Sequence, residues 1–164
     1  MAWWSRGGSA SAEARRQFRR VLADQNNEAV RFFAQDRPDR AAAVFVQVRA
    51  EFRETFGVND DGTLASAGNL GVALVAAGRH AEGIEILEAN VSDRTFAYGV
   101  DDPRTLTASD ALATAFRLNG DHEQALEQSS DVVSRRRRVL GPSHPDTLTS
   151  RLGDGAGQGR VRRR

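Results

Sequence analysis

The sequence contains no cysteine, and none of its 23 basic residues is lysine. The lack of cysteine excludes disulfide bonds and thiolate ligands for zinc. The lack of lysine excludes a phosphate-binding P-loop, which requires a lysine after its glycines. Arginine supplies the whole positive charge and is balanced by 22 acidic residues, which leaves a net charge of +1. Arginine usage of this kind, with frequent alanine and glycine, is typical of a GC-rich genome such as an actinobacterial one.

Long apolar segments are also absent from the chain. No stretch approaches the roughly 20 apolar residues that a membrane-spanning helix needs. The N-terminal segment MAWWSRGGSASAEARR lacks the apolar core of a secretory signal peptide. Hydrophobic residues make up 40% of the chain and charged residues 27%, as in ordinary globular domains. We therefore expect a cytoplasmic protein that does not associate with membranes.

Residues that could carry catalysis or bind a metal are few and poorly spaced. The three histidines, His80, His122 and His144, do not form the HExxH pattern of zinc enzymes. His80 and His122 are better explained by packing in turns, and His144 by a helix start. The paired carboxylates Asp60–Asp61 and Asp101–Asp102 fit helix caps better than an acid–base pair. We expect no enzymatic activity, no metal and no cofactor.

An internal repeat of 42 residues organises most of the sequence. Gly57, Gly99 and Gly141 recur at this step. Other positions keep the same register: Thr63-Leu64, Thr105-Leu106 and Thr147-Leu148, Leu70 and Leu112, Ala73 and Ala115, Gly78 and Gly120. Because so many positions coincide in one register, the sequence predicts repeated structural units.

Each unit is predicted to contain two helices. The first helix should begin near Asp60 in one unit, near Asp102-Pro103 in the next and at His144-Pro145 in the last. Gly78 and Gly120 can end it in a left-handed conformation. Apolar residues with helical spacing should then face the core: Leu64, Leu70, Ala73, Leu74, Ile84, Leu87 and Val91, then Leu106, Leu112, Ala115, Phe116, Ala125, Leu126 and Val133.

An earlier unit is predicted before Gly57. Its second helix should start at Asp36–Asp39, and its first helix should cover about residues 12–34. Because Glu28 stands where Leu70 and Leu112 stand in later units, we expect this first helix to be a divergent cap. The residues expected to face inward are Phe18, Val21, Leu22, Val30 and Phe33 in the first helix, and Ala41, Val44, Phe45, Val48 and Phe52 in the second.

Two segments resemble tetratricopeptide repeats. Gly120–Ala125, with the sequence GDHEQA, is similar to the inter-helix turn of that family. Leu140–Leu148, with the sequence LGPSHPDTL, resembles the 42-residue variety found in kinesin light chains and in many bacterial proteins. The resemblance covers about residues 36–150. It departs from the family at Ala67 and Ser109, where a large aromatic residue is usual.

The resemblance implies an all-α, right-handed solenoid whose first helices line a concave face. It further implies that this face binds a peptide or a partner's helix, so that the protein serves as an adaptor, and a regulatory role is compatible with it. Asn69 matches the family's groove asparagine, whereas its counterpart in the next unit is Ala111. Asp110 and Arg117 either bind opposite charges on a ligand or are solvated charges on the helix surface. The groove residues carried over are Asn69, Val72, Val75, Thr107, Asp110, Thr114 and Arg117.

The expected domain organisation is a solenoid between two tails. A disordered tail is expected over residues 1–11, the solenoid over 12–152, and a flexible tail rich in glycine and arginine over 153–164. The expected units are about 12–56, 57–98 and 99–140, followed by a truncated unit, 141–152. The truncation leaves open whether the chain is complete or a remnant of a longer array.

Two alternative functions remain open at the level of sequence. The truncated end can leave Val132, Val133 and Val139 uncovered, which would favour a homodimer or a structural fragment. Arginines at 135–138 and 160–164 could bind nucleic acid. No aromatic residues interleave with them to stack on bases, and the first run also suits the negative end of a helix dipole.

Overall fold

The computed structural model describes residues 11–151. The two predicted tails lie outside this range, except for Ser11, which caps the first helix. Six complete helices are described, and further helical turns, called α7, cover 145–151. The helices are α1 (Ala12–Ala34), α2 (Pro38–Phe56), α3 (Asp61–Ala76), α4 (His80–Tyr98), α5 (Pro103–Asn119) and α6 (His122–Val139).

The helices form a stack of two-helix units. Each helix from α1 to α6 packs against the next one along the chain. The backbones of the first helices of neighbouring units also approach one another, α1 with α3 and α3 with α5, whereas those of α2, α4 and α6 stay farther apart. The first helices therefore form an inner layer and the second helices an outer one. This arrangement confirms the predicted all-α solenoid.

Local signals place the helix ends where the sequence predicts them. The Asp60 side chain accepts a hydrogen bond from the backbone N–H of Gly62 at 2.9 Å, and Asp102 accepts one from Arg104 at 2.8 Å. At the start of α7, His144 Nδ1 accepts from the Asp146 N–H at 3.2 Å. Gly78 and Gly120, at φ of 79° and 96°, follow the ends of α3 and α5.

The expectation for α1 was wrong at three positions. Val21, Val30 and Phe33 are exposed, whereas Leu22 and Ala29 are fully buried. The reason is that α1 ends the stack and contacts neighbours on fewer sides than α3 or α5. The two buried residues keep the 42-residue step, because they correspond to buried residues in both later units: Leu64 and Leu106, Gly71 and Ala113.

The second helices also differ from expectation at one position. In α6 the fully buried residue is Val132, not the half-buried Val133. Val132 therefore does not belong to an uncovered C-terminal surface, although Val139 remains 44% exposed.

A close approach of α3 and α4 explains two glycines inside helices. A Cβ atom on Gly83 would lie 2.5 Å from Val75 Cγ2 and 2.9 Å from the Gly71 carbonyl oxygen. A Cβ atom on Gly71 would in turn lie 2.6 Å from Leu87 Cγ. Small residues at both positions are therefore needed for these two helices to pack.

Replacing Gly83 by alanine is expected to destabilise the protein despite alanine's better helix propensity. Overpacking lowers the free energy of unfolding by about 1–3 kcal/mol. The better helix propensity of alanine raises it by about 1 kcal/mol. The expected net loss in the free energy of unfolding, measured in urea, is about 1 kcal/mol. The control Ser92→Ala, at an exposed site on the same helix, should change stability by less than about 0.5 kcal/mol. A stabilised Gly83→Ala variant would contradict the close approach.

Two arginines, the half-buried Arg94 and the buried Arg136, join the second helices to the following units. Arg94 Nη1 donates to the carbonyl oxygen of Arg104 at 3.3 Å, and Arg136 Nη1 donates to that of Asp146 at 3.0 Å. Both contacts run from the end of a second helix to the first turn of the next unit. In the first unit, Phe52 occupies the repeat position of Arg94 and Arg136. Its ring packs against Gly62, where a Cβ atom would clash with Phe52 Cε1.

Candidate functional groove

The inner layer of first helices forms a groove that contains a cavity of 680 Å³. Most of its lining is apolar, and Val72 and Leu118 are among the large exposed hydrophobic residues of the protein. The groove is thus an exposed apolar surface in a concave setting, as is usual for binding sites. The uncharged residues that line the cavity include Phe33, Val72, Val75, Ala111, Thr114 and Leu118.

Five of the seven predicted groove residues line this cavity: Val72, Val75, Asp110, Thr114 and Arg117. Val72 and Thr114 are exposed and Val75 is buried, so Val75 forms part of the floor. The cavity lining does not include Asn69 or Thr107.

Asn69 and Thr107 both interact with other protein groups. Asn69 is half-buried, and its Nδ2 donates to Asn26 Oδ1 of α1 at 3.5 Å, which is a long hydrogen bond. The Thr107 hydroxyl donates to the Pro103 carbonyl at 2.8 Å and accepts from Arg136 Nη2 at 3.4 Å. Both side chains are therefore hydrogen-bonded to other groups of the protein.

Asp110 is part of an ion pair between units. Arg136 Nη1 lies 2.5 Å from Asp110 Oδ2, and the two side chains are 5% and 28% exposed. The Ser150 hydroxyl also donates to Asp110 Oδ2 at 2.9 Å. Burial raises the pKa of Asp110, and the hydrogen bond from Ser150 and the charge of Arg136 oppose this shift. Asp110 is therefore neutralised by the protein itself.

Arg117 differs from Asp110 in this respect. Its side chain is exposed, and no hydrogen bond or ion pair within residues 11–151 involves it. Among the residues that line the cavity, Asp110 and Arg117 are the charged ones. Because Asp110 is already paired, the electrostatic field of the groove is set mainly by the positive charge of Arg117.

Sequence reasoning missed Phe33 as a groove residue. It was expected in the core, yet it is 37% exposed and lines the cavity. Phe33 precedes Val75 by one repeat of 42 residues, and Val75 precedes Arg117 by another. The repeat step could therefore have assigned Phe33 to the groove, because α1 keeps the register of the later first helices.

The arginine run in α6 is largely engaged in contacts within the protein. Asp101 contacts Arg135 at 3.2 Å and Arg138 at 2.7 Å, and Asp131 contacts Arg135 at 2.6 Å. Arg136 is buried. Two of the four arginines, Arg135 and Arg138, thus tie α6 to the loop before α5, which favours a structural role. The second arginine-rich segment, 160–164, lies outside the described residues.

All three histidines lie within residues 11–151. No group of three potential metal ligands comes together there. None of the helices in that range is long and apolar enough to cross a membrane. His122 is exposed, and His80 is half-buried at the start of α4.

Comparison with known proteins shows what this architecture is similar to. A tetratricopeptide-repeat family model matches residues 69–137. A solved structure described as a kinesin light chain from Podosopora anserina, with nearly identical TPR-like repeats, is 27% identical, with a TM-score of 0.78 over 87% of this chain and 69% of that one. Its Q17M variant is also 27% identical, with a TM-score of 0.77 over 87% and 68%. No curated protein sequence matches this chain.

The fold and groove define a helical-repeat protein of the solenoid class, stacked from two-helix units. The family match over residues 69–137 and the structural similarity show that the chain contains repeats of the tetratricopeptide type. Tetratricopeptide repeats are generally modules for protein–protein interaction.

Proposed function

We propose that the concave groove binds a peptide segment or helix of another protein, and that the chain acts as an adaptor. The observation that supports this most is the 680 Å³ apolar cavity open between the first helices. Its volume falls within the range of about 300–1,000 Å³ that is usual for ligand sites. The composition of the chain favours a bacterial, cytoplasmic adaptor.

The chemistry of the groove favours a ligand with apolar side chains next to an acidic group. Exposed Val72, Leu118 and Phe33 offer apolar contacts. Burying apolar surface contributes about 25 cal/mol per Å² before the costs of association are subtracted. Arg117 is available to form a charge-assisted hydrogen bond with a carboxylate. Asp110 takes no part in ligand selection, because Arg136 and Ser150 already occupy it.

Two groove variants test this proposal in an affinity capture from a bacterial lysate. Leu118→Glu places a charge in the apolar part of the groove, and Arg117→Glu reverses the charge next to it. Both should lose proteins that the wild type captures. Ser130→Glu, on the exposed side of α6, is the matched control and should capture the same proteins as the wild type.

Binding of a peptide derived from a captured protein gives the quantitative result. We expect Arg117→Glu to weaken it by about tenfold or more, and more strongly at low salt than at high salt. If the wild type and both groove variants bind the peptide with equal affinity, the peptide does not bind in the groove. Capture of nucleic acid alone would favour the arginine-rich tail instead.

A further inference from the structure

The outward face of α2 is apolar where the other complete units are polar. Val46 on this face is 52% exposed, and Ala43 and Ala50 on either side of it are exposed as well. Solvated helix faces are normally polar, and α4 and α6 follow that rule at the same repeat positions. Their residues there are Glu85, Glu88 and Ser92 in α4, and Glu127, Ser130 and Ser134 in α6.

This face adjoins a cleft of 850 Å³ between α2 and α4. Leu70 and Leu74 of α3 are buried at the floor of this cleft, and the exposed Val58 and the half-buried Ile86 line its sides. The cleft is also lined by charged residues: Asp39, Arg49, Arg53, Glu54, Arg79, Glu82 and Glu85. The cleft is therefore of mixed character, and its exposed apolar part includes the face of α2 that carries Val46. Surfaces of this kind mark interaction sites in soluble proteins.

The charges at the two ends of the face make it complementary to itself. Asp39 lies seven residues before Val46 and Arg53 seven residues after it, so all three share one side of α2. Asp39 and Arg53 are exposed, and the ion pairs within residues 11–151 involve neither of them. In an antiparallel pair of α2 helices centred on Val46, each Asp39 lies opposite Arg53 of the other copy.

We propose that the chain forms a two-fold symmetric homodimer through α2. Val46 packs against its own copy at the centre, and the small side chains of Ala43 and Ala50 allow the helices to approach closely. An ion pair between Asp39 and Arg53 closes each end. Such an interface is isologous, as two-fold dimers require. It lies on the outer layer of second helices, so dimerisation leaves the groove on the inner layer accessible.

Sedimentation equilibrium of the full chain, up to about 1 mM, tests the dimer. Val46→Glu introduces the residue that α4 carries at the same repeat position and should raise the dimer dissociation constant by about tenfold or more. Ser130→Glu, at that position in α6, should leave the constant unchanged. Circular dichroism of each variant checks that the helices remain intact.

Charge reversal tests the predicted register. Arg53→Asp and Asp39→Arg each place like charges opposite one another, so each variant alone should dimerise more weakly than the wild type. A mixture of the two should recover wild-type association, because every aspartate then faces an arginine. A chain that stays monomeric throughout the concentration range would overturn the proposal. A dimer that is insensitive to Val46→Glu and to both charge reversals would also overturn it.

Discussion

Replacing Arg136 by alanine is expected to lower the free energy of unfolding by about 3 kcal/mol. The guanidinium is 5% exposed and contacts Asp110, the Asp146 carbonyl and the Ser150 hydroxyl. Its removal leaves the carboxylate of Asp110 without its counter-ion in a partly buried site, and it detaches α7 from α6. Urea unfolding followed by circular dichroism measures the loss.

Two control variants separate the ion pair from general effects of losing an arginine. Arg79→Ala breaks an exposed ion pair with Glu82 and should cost less than about 1 kcal/mol. The double variant Arg136→Met/Asp110→Asn removes both charges and should be more stable than Arg136→Ala, because no unpaired charge remains. A loss in Arg136→Ala no larger than that in Arg79→Ala would contradict the structural role of Arg136.

The loss in Arg136→Ala should also depend on pH. Burial raises the pKa of Asp110 even with Arg136 present, and without Arg136 it should rise further. A carboxyl group whose folded pKa lies above its unfolded value favours folding when protonated, and this contribution is lost as the pH rises through the folded pKa. The difference in stability between wild type and variant should therefore be larger at neutral pH than at acidic pH. Unfolding measured at both pH values checks the sign.

Replacing Phe45 by alanine is expected to lower the free energy of unfolding by about 4 kcal/mol. Phe45 is 2% exposed and packs in one cluster with Ala41, Leu70 and Leu74. Its removal takes an aromatic ring out of the contact between α2 and α3 and leaves a cavity that small neighbours such as Ala41 cannot fill. Urea unfolding measures this loss as well.

The repeat offers a matched control for Phe45. Ser129 occupies the same repeat position in α6, is half-buried, and its hydroxyl donates to the Ala125 carbonyl within the same helix at 2.6 Å. Ser129→Ala should change stability by less than about 1 kcal/mol. A small effect of Phe45→Ala would show that the first unit contributes little to the cooperative unfolding of the stack.

Most of the helix boundaries could be predicted from the sequence. Asp60 and Asp102 cap their helices through contacts with residues two positions away, and Gly120 adopts the left-handed conformation directly after α5. These interactions are local, so a short window of sequence contains all the participants. Because the units repeat every 42 residues, a helix boundary found in one unit predicts the equivalent boundary in the next.

The candidate groove was only partly predictable. Val72, Thr114 and Arg117 could be assigned to it because the resemblance to tetratricopeptide repeats implies which positions of a first helix face the groove. The role of Asp110 could not, because its partner Arg136 is on the other helix of the unit and Ser150 is in the next unit. The role of Asn90 could not be predicted either, because this buried residue of α4 donates through its Nδ2 to the Leu64 carbonyl of α3 at 2.8 Å.

The sequence by itself determined the helices and their pairing into repeated units. These features follow from hydrophobic spacing, caps and glycines, which act over one or two helical turns. Only the tertiary structure decided that Asp110 is neutralised, that Arg117 is not, and that Val30 and Phe33 face solvent. Those outcomes depend on how neighbouring units stack, because charge pairing and burial are set by distances between residues far apart in the chain.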